Sequence, residues 1–447
     1  MIPRPTQLTG AAFLAERARR FLADEPRCGK TGAAIMALDY AQAGRTLVIT
    51  TASGRAVWKR AVPAWSAFGR TVQVATDEVD PKADTVIVSW GGITQSKLRS
   101  ALLHCKFDAV IPDEAHYAKN FSAKRTQALY GTLLDEGRHL DNNHAIAAGQ
   151  RHIWPLSGTP FPNSPFDIYP HLRALKPECL RAHDGMPDVT RENDFMHRYC
   201  VVKMKKLSNW NRIPVVIGGR NPEELKHRIG DFMLQRTQAD VGIAEPVYEV
   251  MTLPGSAAVK RELDGIVSDT LRSRLRAGQE IEDLEMELAE IRRVTGAVKA
   301  KAVVEAVKEE FDCGLDKIVI AFWHTEVGML LRDGLSTYGV VGIDGSTPPD
   351  KRGQAEQRFL SDPNIRVFLG QIKAAGEAID LSSAAELIFA EASLVPADMK
   401  QMSMRITNYS QTRLPRVRVA ALEGSIDEAL QDILLRKWSA IREVLPT

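Results

Sequence analysis

Two short stretches of this 447-residue chain carry residue types that suit the hydrolysis of a nucleoside triphosphate. The first is Gly29-Lys30-Thr31, which follows a short apolar run. A triphosphate is held by backbone N–H groups at a helix N-terminus, by a lysine on its β- and γ-phosphates, and by a hydroxyl on its magnesium ion. We therefore predict that Gly29 and Lys30 bind ATP and that Thr31 is a ligand of Mg²⁺. The full phosphate-loop pattern has a glycine where this chain has Asp24, so the tripeptide by itself leaves a chance surface turn open.

The second stretch is VIPDEAH, residues 110–116, in which an apolar run ends in two adjacent acids. The run predicts a buried strand, and ligands of open α/β sheets bind at the carboxyl ends of the strands. Asp113 is predicted to hold magnesium, and Glu114 to orient and polarise the attacking water. Acids also favour helix N-termini, so a solvated helix start is the alternative. The Gly-Lys-Thr upstream in the same alternating pattern favours the catalytic interpretation.

A third stretch, IWPLSGTP at residues 153–160, predicts a strand that ends in a turn of small residues. Ser157 and Thr159 could lie beside the acids there and sense the γ-phosphate. An ordinary turn is the alternative for this stretch in isolation.

The composition limits the classes of protein to which the chain can belong. It has 44% hydrophobic and 26% charged residues and a net charge of +2, which is typical of a globular protein and neither requires nor excludes a nucleic-acid partner. The five cysteines form no Cys-x-x-Cys pair, which argues against a disulfide framework and a zinc site. No apolar run approaches the roughly 20 residues of a membrane span, and the N-terminus lacks the layout of a signal peptide. We expect a soluble protein of a reducing, cytoplasmic compartment, with no membrane and no zinc.

Apolar strand patterns alternate with helical patterns in two blocks of the chain, which predicts an α/β fold with two tandem parallel sheets. The first lobe is predicted over residues 1–240, with a mainly helical part near 166–236. Two prolines and little helical pattern predict a linker over residues 241–256. The second lobe is predicted over residues 257–447 and begins with a helical insertion. It has no Gly-Lys-Thr and no Asp-Glu pair, so it should not hydrolyse nucleotide independently.

The helical part near 166–236 contains a basic cluster. Its members are Arg198, Lys203, Lys205, Lys206, Arg212, Arg220, Lys226 and Arg228. Such clusters are usually solvated faces. Beside these motifs, Lys203, Lys205 and Lys206 are candidates for contacts with a phosphate backbone.

The motifs resemble those of the Swi/Snf-type ATPases of helicase superfamily two, in particular the short branch related to annealing helicases. The resemblance covers nearly the whole chain and follows the family's order and spacing. It rests on RPTQLTGAAFL (4–14), LADEPRCGKT (22–31), TTASGRAVWKRAVPAW (50–65), DEAH (113–116), the segment 156–178, FMLQRT (232–237), GSTPPDKRGQAEQRF (345–359), AAGEAIDLSSA (374–384) and QMSMRITNYSQ (401–411).

The resemblance implies two RecA-like lobes with ATP and Mg²⁺ in the cleft between them, and a DNA-associated motor that moves along double-stranded DNA, expected to be monomeric. It implies that Gln7 reads the adenine, that Ser53 contacts DNA, and that His116, Ser157 and Thr159 couple hydrolysis to movement. Gly376 and Gln401 would contact the nucleotide from the second lobe, and Arg405 would be catalytic.

The chain departs from the family pattern at several positions. Pro26, Arg27 and Cys28 occupy a part of the phosphate loop that usually bears glycine, and Ala378 replaces a usual glycine. Asn408 stands where the second of two arginines, the arginine finger, is expected. Arg405 could suffice without it, Arg413 could reach in from the next loop, or the protein could hydrolyse slowly.

Three functions follow from these residues. The first is a DNA-stimulated ATPase that translocates on duplex DNA. The second is a strand-separating helicase on DNA or RNA, which the sequences of the later motifs make a less good match. The third is a nucleotide-gated DNA clamp that hydrolyses ATP slowly because of Asn408.

Overall fold

The computed structural model describes residues 2–161, 164–206, 212–254, 285–375, 379–393 and 395–423. The chain divides into two compact units between Thr237 and Gln238. We call the part before the division the first unit and the part after it the second unit. Each contains a parallel sheet, so the predicted α/β fold with two tandem parallel sheets is confirmed.

The first unit is built on a five-stranded sheet whose paired strands are all parallel. In spatial order its strands are Val72–Val74, Thr85–Ser89, Thr46–Thr50, Ala109–Pro112 and His152–Ile153. The helices of this unit are Pro5–Glu16, Lys30–Tyr40, Gly54–Trp65, Ser96–Leu103, Lys124–Tyr130, Tyr169–Leu175, Glu192–Tyr199 and Pro222–Ile229. Shorter strands are Phe21–Leu22 with Met233–Leu234, and Thr132–Leu134 with His139–Asp141.

Both faces of this sheet are covered, which explains why the middle residues of its central strands are apolar on both faces rather than alternating with polar residues. Leu47 and Ile49 pack into one buried cluster, whereas Val48 packs into another on the opposite face. Each such side chain contributes about 1.5–3 kcal/mol when fully buried. The sequence TLVIT of strand Thr46–Thr50 fits this position, because successive side chains point to opposite faces and both faces are buried.

The second unit is built on a six-stranded sheet whose paired strands are also parallel. Its strands in spatial order are Val247–Leu253, Arg416–Leu422, Glu386–Phe389, Ile318–Phe322, Val367–Gln371 and Val340–Ile343. Its helices are Glu285–Asp312, Thr325–Gly334, Pro349–Ser361, Ile372–Ala375 and Pro396–Ser403. Within the described residues, no helix is long and apolar enough to cross a membrane.

Two parts of the predicted organisation need correction. Val247–Leu253, within the predicted linker 241–256, pairs along its whole length with Arg416–Leu422 and is an edge strand of the second sheet. Pro246 and Pro254 suggested a linker, but they flank the strand, where a missing N–H removes no ladder bond.

The part near 166–236, predicted to be mainly helical, also contains an antiparallel hairpin. Its strands are Cys200–Lys206 and Arg212–Gly219, with an irregularity between Val216 and Gly218. We call these two strands the basic hairpin. In the strand Cys200–Lys206, lysines interrupt the apolar residues whose pattern would have predicted a strand.

Candidate nucleotide-hydrolysis site

The predicted phosphate loop lies directly before helix Lys30–Tyr40. Gly29 caps the helix at φ +91°, a left-handed conformation that favours glycine. The ammonium of Lys30 folds back over the loop and donates to the carbonyl oxygens of Asp24 at 2.6 Å and Glu25 at 3.0 Å. Carbonyl oxygens are weaker partners for an ammonium than phosphate oxygens, so this lysine is placed to exchange them for an anion. Thr31 lies in the first turn of the same helix, partly exposed.

Asp24, which stands where the general phosphate-loop pattern has glycine, is a structural anchor. Its carboxylate is buried and accepts a hydrogen bond from Nε of Arg236 at 2.9 Å, while the same guanidinium donates to the carbonyl of Thr6. The strand Phe21–Leu22 that leads into the loop pairs in parallel with Met233–Leu234 just before this arginine. The segment 232–237, which the sequence relates to an inter-lobe element, therefore supports the phosphate loop.

Leu156 brings the three chemistry-bearing stretches of the first unit together. It forms parallel bridges with Leu22 on one side and with Asp113 on the other. The amide of Ala115 also donates to its carbonyl at 2.8 Å. As a result, the phosphate loop, the Asp-Glu pair and the Ser-Gly-Thr turn all begin at neighbouring strand ends, where the sequence placed them.

Asp113 is held by groups that sequence reasoning missed. The hydroxyl of Thr50 and the indole N–H of Trp58 both donate to Oδ2, each at 2.8 Å. The indole of Trp90 donates to the backbone carbonyl of Asp113, also at 2.8 Å. Buried indoles usually find a partner for their N–H. Trp58 and Trp90 were therefore the residues in the sequence that could have indicated these contacts with Asp113. Because the side-chain bonds fall on Oδ2, the carboxylate is oriented with Oδ1 directed away from these donors.

The surroundings of Asp113 disfavour the ionised form of its carboxyl group. Burial raises the pKa of Asp113, and the neighbouring negative charge of Glu114 raises it further. A divalent cation beside the carboxylate would favour its ionised form. Among the described residues, no group of three or more histidines, cysteines and acids could hold a metal ion. Mg²⁺ bound with a nucleotide needs only one or two protein ligands besides phosphate and water, so Asp113 and Thr31 fit it.

Glu114, His116 and the Ser-Gly-Thr turn form one contact group. Glu114 has a left-handed backbone at φ +51°, which is uncommon for a residue other than glycine. Nδ1 of His116 lies 3.2 Å from the Ser157 hydroxyl, 3.4 Å from Oε2 of Glu114 and 3.5 Å from the Thr159 hydroxyl. Burial is the main factor that lowers the pKa of His116 to about 4, so its ring is neutral near pH 7. A neutral ring nitrogen either donates to the carboxylate or accepts from a hydroxyl. The ring therefore has two alternative states.

Gln7 lies against the phosphate loop. Its amide Nε2 donates to the carbonyl of Gly29 at 3.3 Å, and its Oε1 accepts from the backbone amide of Arg4 at 3.1 Å. A guanidinium nitrogen of Arg4 also donates to the carbonyl of Arg27. Gln7 is 3% exposed, so these bonds fix its amide. Its predicted contact with adenine stays a prediction.

The candidate DNA-contacting residues lie in two places of the first unit. Ser53 precedes helix Gly54–Trp65, and its hydroxyl lies 3.1 Å from that of Thr51. Lys203 is exposed on the basic hairpin, and Lys205 and Lys206 lie farther along the same strand.

Two other members of the basic cluster have structural partners. Arg228 is 1% exposed and donates to the carbonyl of Cys179 at 2.7 Å, and Arg198 pairs with Glu224. The basic cluster therefore includes arginines whose side chains make contacts within the protein.

Two candidate residues of the second unit, Gln401 and Arg405, are close in sequence. Gln401 is half-buried on helix Pro396–Ser403, and Arg405 is 6% exposed just after it. The amide nitrogen of Asn408 donates to the Ser382 hydroxyl at 3.1 Å and to Asp380 at 3.4 Å.

Arg413, an alternative source of the missing arginine, donates to the carbonyl of Ser383 at 2.7 Å. Gly376 and Ala378 lie outside the described residues.

Comparison with known proteins agrees with the motifs. A family model described as the SNF2-related domain matches residues 6–258. A Caenorhabditis elegans protein named as a homolog of SWI/SNF-related matrix-associated actin-dependent regulator of chromatin subfamily A-like protein 1 is 26% identical, over 98% of this chain and 61% of its own length. The human DNA annealing helicase and endonuclease ZRANB3 is 24% identical, over 97% of this chain and 39% of its own length.

This chain thus spans about three fifths of the worm relative and two fifths of the human one. A solved structure, the Sulfolobus solfataricus SWI2/SNF2 ATPase core in complex with dsDNA, covers 100% of this chain and 93% of its own, with 19% identity and a TM-score of 0.45. The match of the family model over more than half of the sequence, on the residues that build the phosphate loop and the acidic strand end, shows that the chain belongs to the SNF2-related family.

Proposed function

We propose that the chain is a DNA-stimulated ATP hydrolase that uses Mg²⁺ and translocates on double-stranded DNA, remodelling or annealing what it meets there. The observation that carries this proposal is the double bridge of Leu156 to Leu22 and Asp113. The double bridge brings Lys30, Asp113 and Glu114 to neighbouring strand ends. This supports the proposal, because phosphoryl transfer to water needs a cation for the phosphates, an acid for the metal and an acid for the water.

The chain's own residues have separate roles in this reaction. Lys30 leaves its two carbonyl partners for phosphate oxygens, and Glu114 orients the attacking water. Thr31 and Asp113 would hold Mg²⁺, which would supply charge that offsets the negative charge on the phosphates. His116 then exchanges Glu114 for the hydroxyls of the Ser-Gly-Thr turn. That exchange links the state of the water-orienting acid to the position of a loop.

Duplex DNA as the partner is supported by family membership and by charge. The human relative is named as a DNA annealing helicase. In this chain Lys203 is an exposed cation on a hairpin whose strand carries two further lysines. Contacts of lysine with phosphate hold a duplex without reading its sequence.

A nucleotide-gated DNA clamp is the second candidate, and the position of Asn408 favours it. Asparagine cannot neutralise charge on a γ-phosphate, and its amide here bonds to Ser382 and Asp380. We rank the hydrolase above the clamp because Lys30, Thr31, Asp113 and Glu114 are all present, and a protein that only binds nucleotide has no need of Glu114.

Two assays test the proposal. Steady-state turnover of MgATP with and without duplex DNA separates a motor from a clamp, and we expect the duplex to raise turnover. Displacement of the third strand of a DNA triplex, compared with separation of a forked duplex, then tests for movement. A translocase displaces the third strand and leaves the fork paired. Fork separation without triplex displacement would indicate a strand-separating helicase instead.

A further inference from the structure

Gly32 marks a close approach of two side chains to the first turn of helix Lys30–Tyr40. Inside a helix, glycine is the least favourable residue apart from proline, so its presence here asks for a reason. A Cβ at Gly32 would lie 2.9 Å from Nε2 of Gln7 and 2.9 Å from Cε2 of Trp65, the last residue of helix Gly54–Trp65. Any larger residue would therefore have to push these two side chains away from the start of the helix.

The same distances place the indole of Trp65 beside the amide of Gln7. Nε2 of Gln7 and Cε2 of Trp65 both lie 2.9 Å from one point, so the two atoms are no farther apart than twice that distance. Nε2 of Gln7 also donates to the carbonyl of Gly29 in the predicted phosphate loop. Trp65 thus lies next to the residue that we predict to read adenine, at the side of the loop where that residue is bound.

The backbone that follows Trp65 is fixed to the helix that begins at the phosphate loop. The carboxylate of Asp39, in helix Lys30–Tyr40, accepts from the hydroxyl of Ser66 at 3.0 Å and from the amide of Ala67 at 2.8 Å. The indole is therefore held at one end by a segment that cannot shift independently of this helix. A group that is positioned in advance loses little conformational entropy when it meets a ligand.

The burial of Trp65 differs from that of three other tryptophans of the first unit. Trp58, Trp90 and Trp154 are at most 3% exposed, and each donates its indole N–H to an oxygen atom of the fold. Trp65 packs against a buried apolar cluster but is itself only half-buried. An indole that is partly open to solvent can bury its remaining surface against the flat face of a nucleotide base.

We propose that the indole of Trp65 packs against the base of the bound nucleotide, beside Gln7, and supplies affinity for nucleotides that carry a purine base. This inference rests on the proposed ATP site and names the residue that holds the base there. It uses side chains of the first unit alone. Gln7 would then contact the edge of the base, and Trp65 its face.

Nucleotide titrations of variants of the full chain test the proposal. Trp65→Leu should bind MgATP and MgADP each about tenfold more weakly than the parent, because stacking on the base is lost. Its affinity for magnesium tripolyphosphate, which has phosphates but no base, should equal that of the parent. Trp65→Phe keeps an aromatic ring, so its affinity for MgATP should lie between those of Trp65→Leu and the parent. The matched control is Phe68→Leu, at an exposed aromatic residue three positions along the chain, and it should bind like the parent.

A measurement on the parent makes the test independent of how well Trp65→Leu folds. After incorporation of fluorotryptophan, the fluorine resonance of Trp65 is identified by its absence from Trp65→Phe. MgADP should shift this resonance, and magnesium tripolyphosphate should not, because only MgADP brings a base to the ring.

Three results would overturn the proposal. Parent-like affinity of Trp65→Leu for MgATP, or a fluorine resonance that MgADP leaves in place, would show that the ring does not touch the base. Equal losses of affinity for MgATP and magnesium tripolyphosphate would show that Trp65 only supports the phosphate loop. A loss of duplex DNA affinity with unchanged nucleotide binding would assign the ring to DNA. A parent that binds MgATP without hydrolysing it would contradict the proposed function but not this contact, whereas a parent that binds no MgATP would contradict both.

Discussion

Each of the two sheets carries a carboxylate just after one of its strands, half-buried at Asp113 in the first unit and buried at Glu391 in the second, and the hydrogen bonds of the two carboxylates differ. In the first unit, Asp113 receives both of its side-chain hydrogen bonds on Oδ2, and Glu114 follows it. In the second unit, the carboxylate of Glu391 is fully buried. Its Oε2 accepts from the amides of Trp323 and His324, and its Oε1 lies 2.6 Å from Nδ1 of His324. Asp113 has side-chain hydrogen bonds on one carboxylate oxygen only, whereas both oxygens of Glu391 have partners within the fold.

The difference shows what parallel-sheet topology leaves undecided. Both sheets bring strand ends together, so both could hold a ligand there. In the second unit, the amide of Gln371 also spans neighbouring strand ends, since it donates to the carbonyl of Trp323 and accepts from the amide of Gly345. Whether a strand end can bind a ligand therefore depends on which of its polar groups already have hydrogen-bond partners within the fold. This supports an assignment of hydrolysis to the first unit.

The sharpest way to break the comparison is to make the same change at Glu114, which follows Asp113 in the first unit, and at Glu391 in the second unit. Glu114→Gln should keep MgATP binding but lower turnover by at least about 10³-fold, because a neutral amide does not polarise the water. Glu391→Gln should instead lower the free energy of unfolding by roughly 1–3 kcal/mol. Steady-state turnover, nucleotide titration and urea unfolding of both variants measure this.

Lys30→Ala is the companion to Glu114→Gln, and it should weaken MgATP binding itself. Equal loss of binding in Lys30→Ala and Glu114→Gln would argue against Glu114 as the water-orienting acid. A stable Glu391→Gln that loses turnover as severely as Glu114→Gln would remove the distinction between the two strand ends.

The next test asks how much the second unit adds to the chemistry. We expect Arg405→Ala to abolish the part of the turnover that DNA stimulates, about 10²-fold, because it removes a cation from the transition state. Asn408→Arg should leave turnover unchanged or raise it. Arg405 is 6% exposed, so unfolding curves must accompany the assay. If Arg405→Ala turns over MgATP with duplex DNA as fast as the parent, Arg405 has no catalytic role.

A smaller effect concerns acid. Burial lowers the pKa of His171 to about 3, and its Nδ1 lies 2.9 Å from the hydroxyl of the buried Tyr130. The folded state then binds fewer protons than the unfolded state, so the free energy of unfolding falls as the pH drops below about 6.5. In the parent, this histidine should lower the free energy of unfolding by roughly 2 kcal/mol between about pH 7 and about pH 5, and His171→Gln should abolish that decrease. Urea unfolding at both pH values checks this, with His104→Gln at an exposed histidine as control. An unchanged pH dependence would contradict it.

The smallest expected effect is on DNA. Charge reversal of Lys203, Lys205 and Lys206 together should lower duplex affinity by about tenfold and flatten its dependence on salt, because fewer counterions are released. Reversal of Lys226, on helix Pro222–Ile229, is the control outside the basic hairpin. Unchanged affinity and an unchanged salt slope would indicate that these lysines belong to a solvated face and do not contact DNA.

How far the sequence predicts this molecule depends on whether a feature is local. The acidic strand Ala109–Pro112 was predicted from its apolar run, because such a run is a local signal. The edge strand Val247–Leu253 was not predicted, since it depends on pairing with the distant segment Arg416–Leu422. The basic hairpin was not predicted either, because lysines interrupt the apolar pattern of its first strand.

The site shows the same division. Lys30, Asp113, Glu114, Ser157 and Thr159 follow from motif and order, and the structure brings them to neighbouring strand ends. The residues that hold them, such as Trp58 and Arg236, act across more than fifty positions of the sequence. Spacing does not reveal such contacts. They become visible only when the fold places an indole or a guanidinium against a buried carboxylate.

The central claim is that the first unit's strand ends carry out ATP hydrolysis at a rate that duplex DNA raises. Single-turnover hydrolysis of MgATP by excess protein, with and without saturating duplex DNA, measures the chemical step directly. We expect the parent to cleave bound ATP faster with DNA, and Glu114→Gln to hold ATP uncleaved under both conditions. Equal rates with and without duplex DNA, or cleavage by Glu114→Gln as fast as by the parent, would contradict the account.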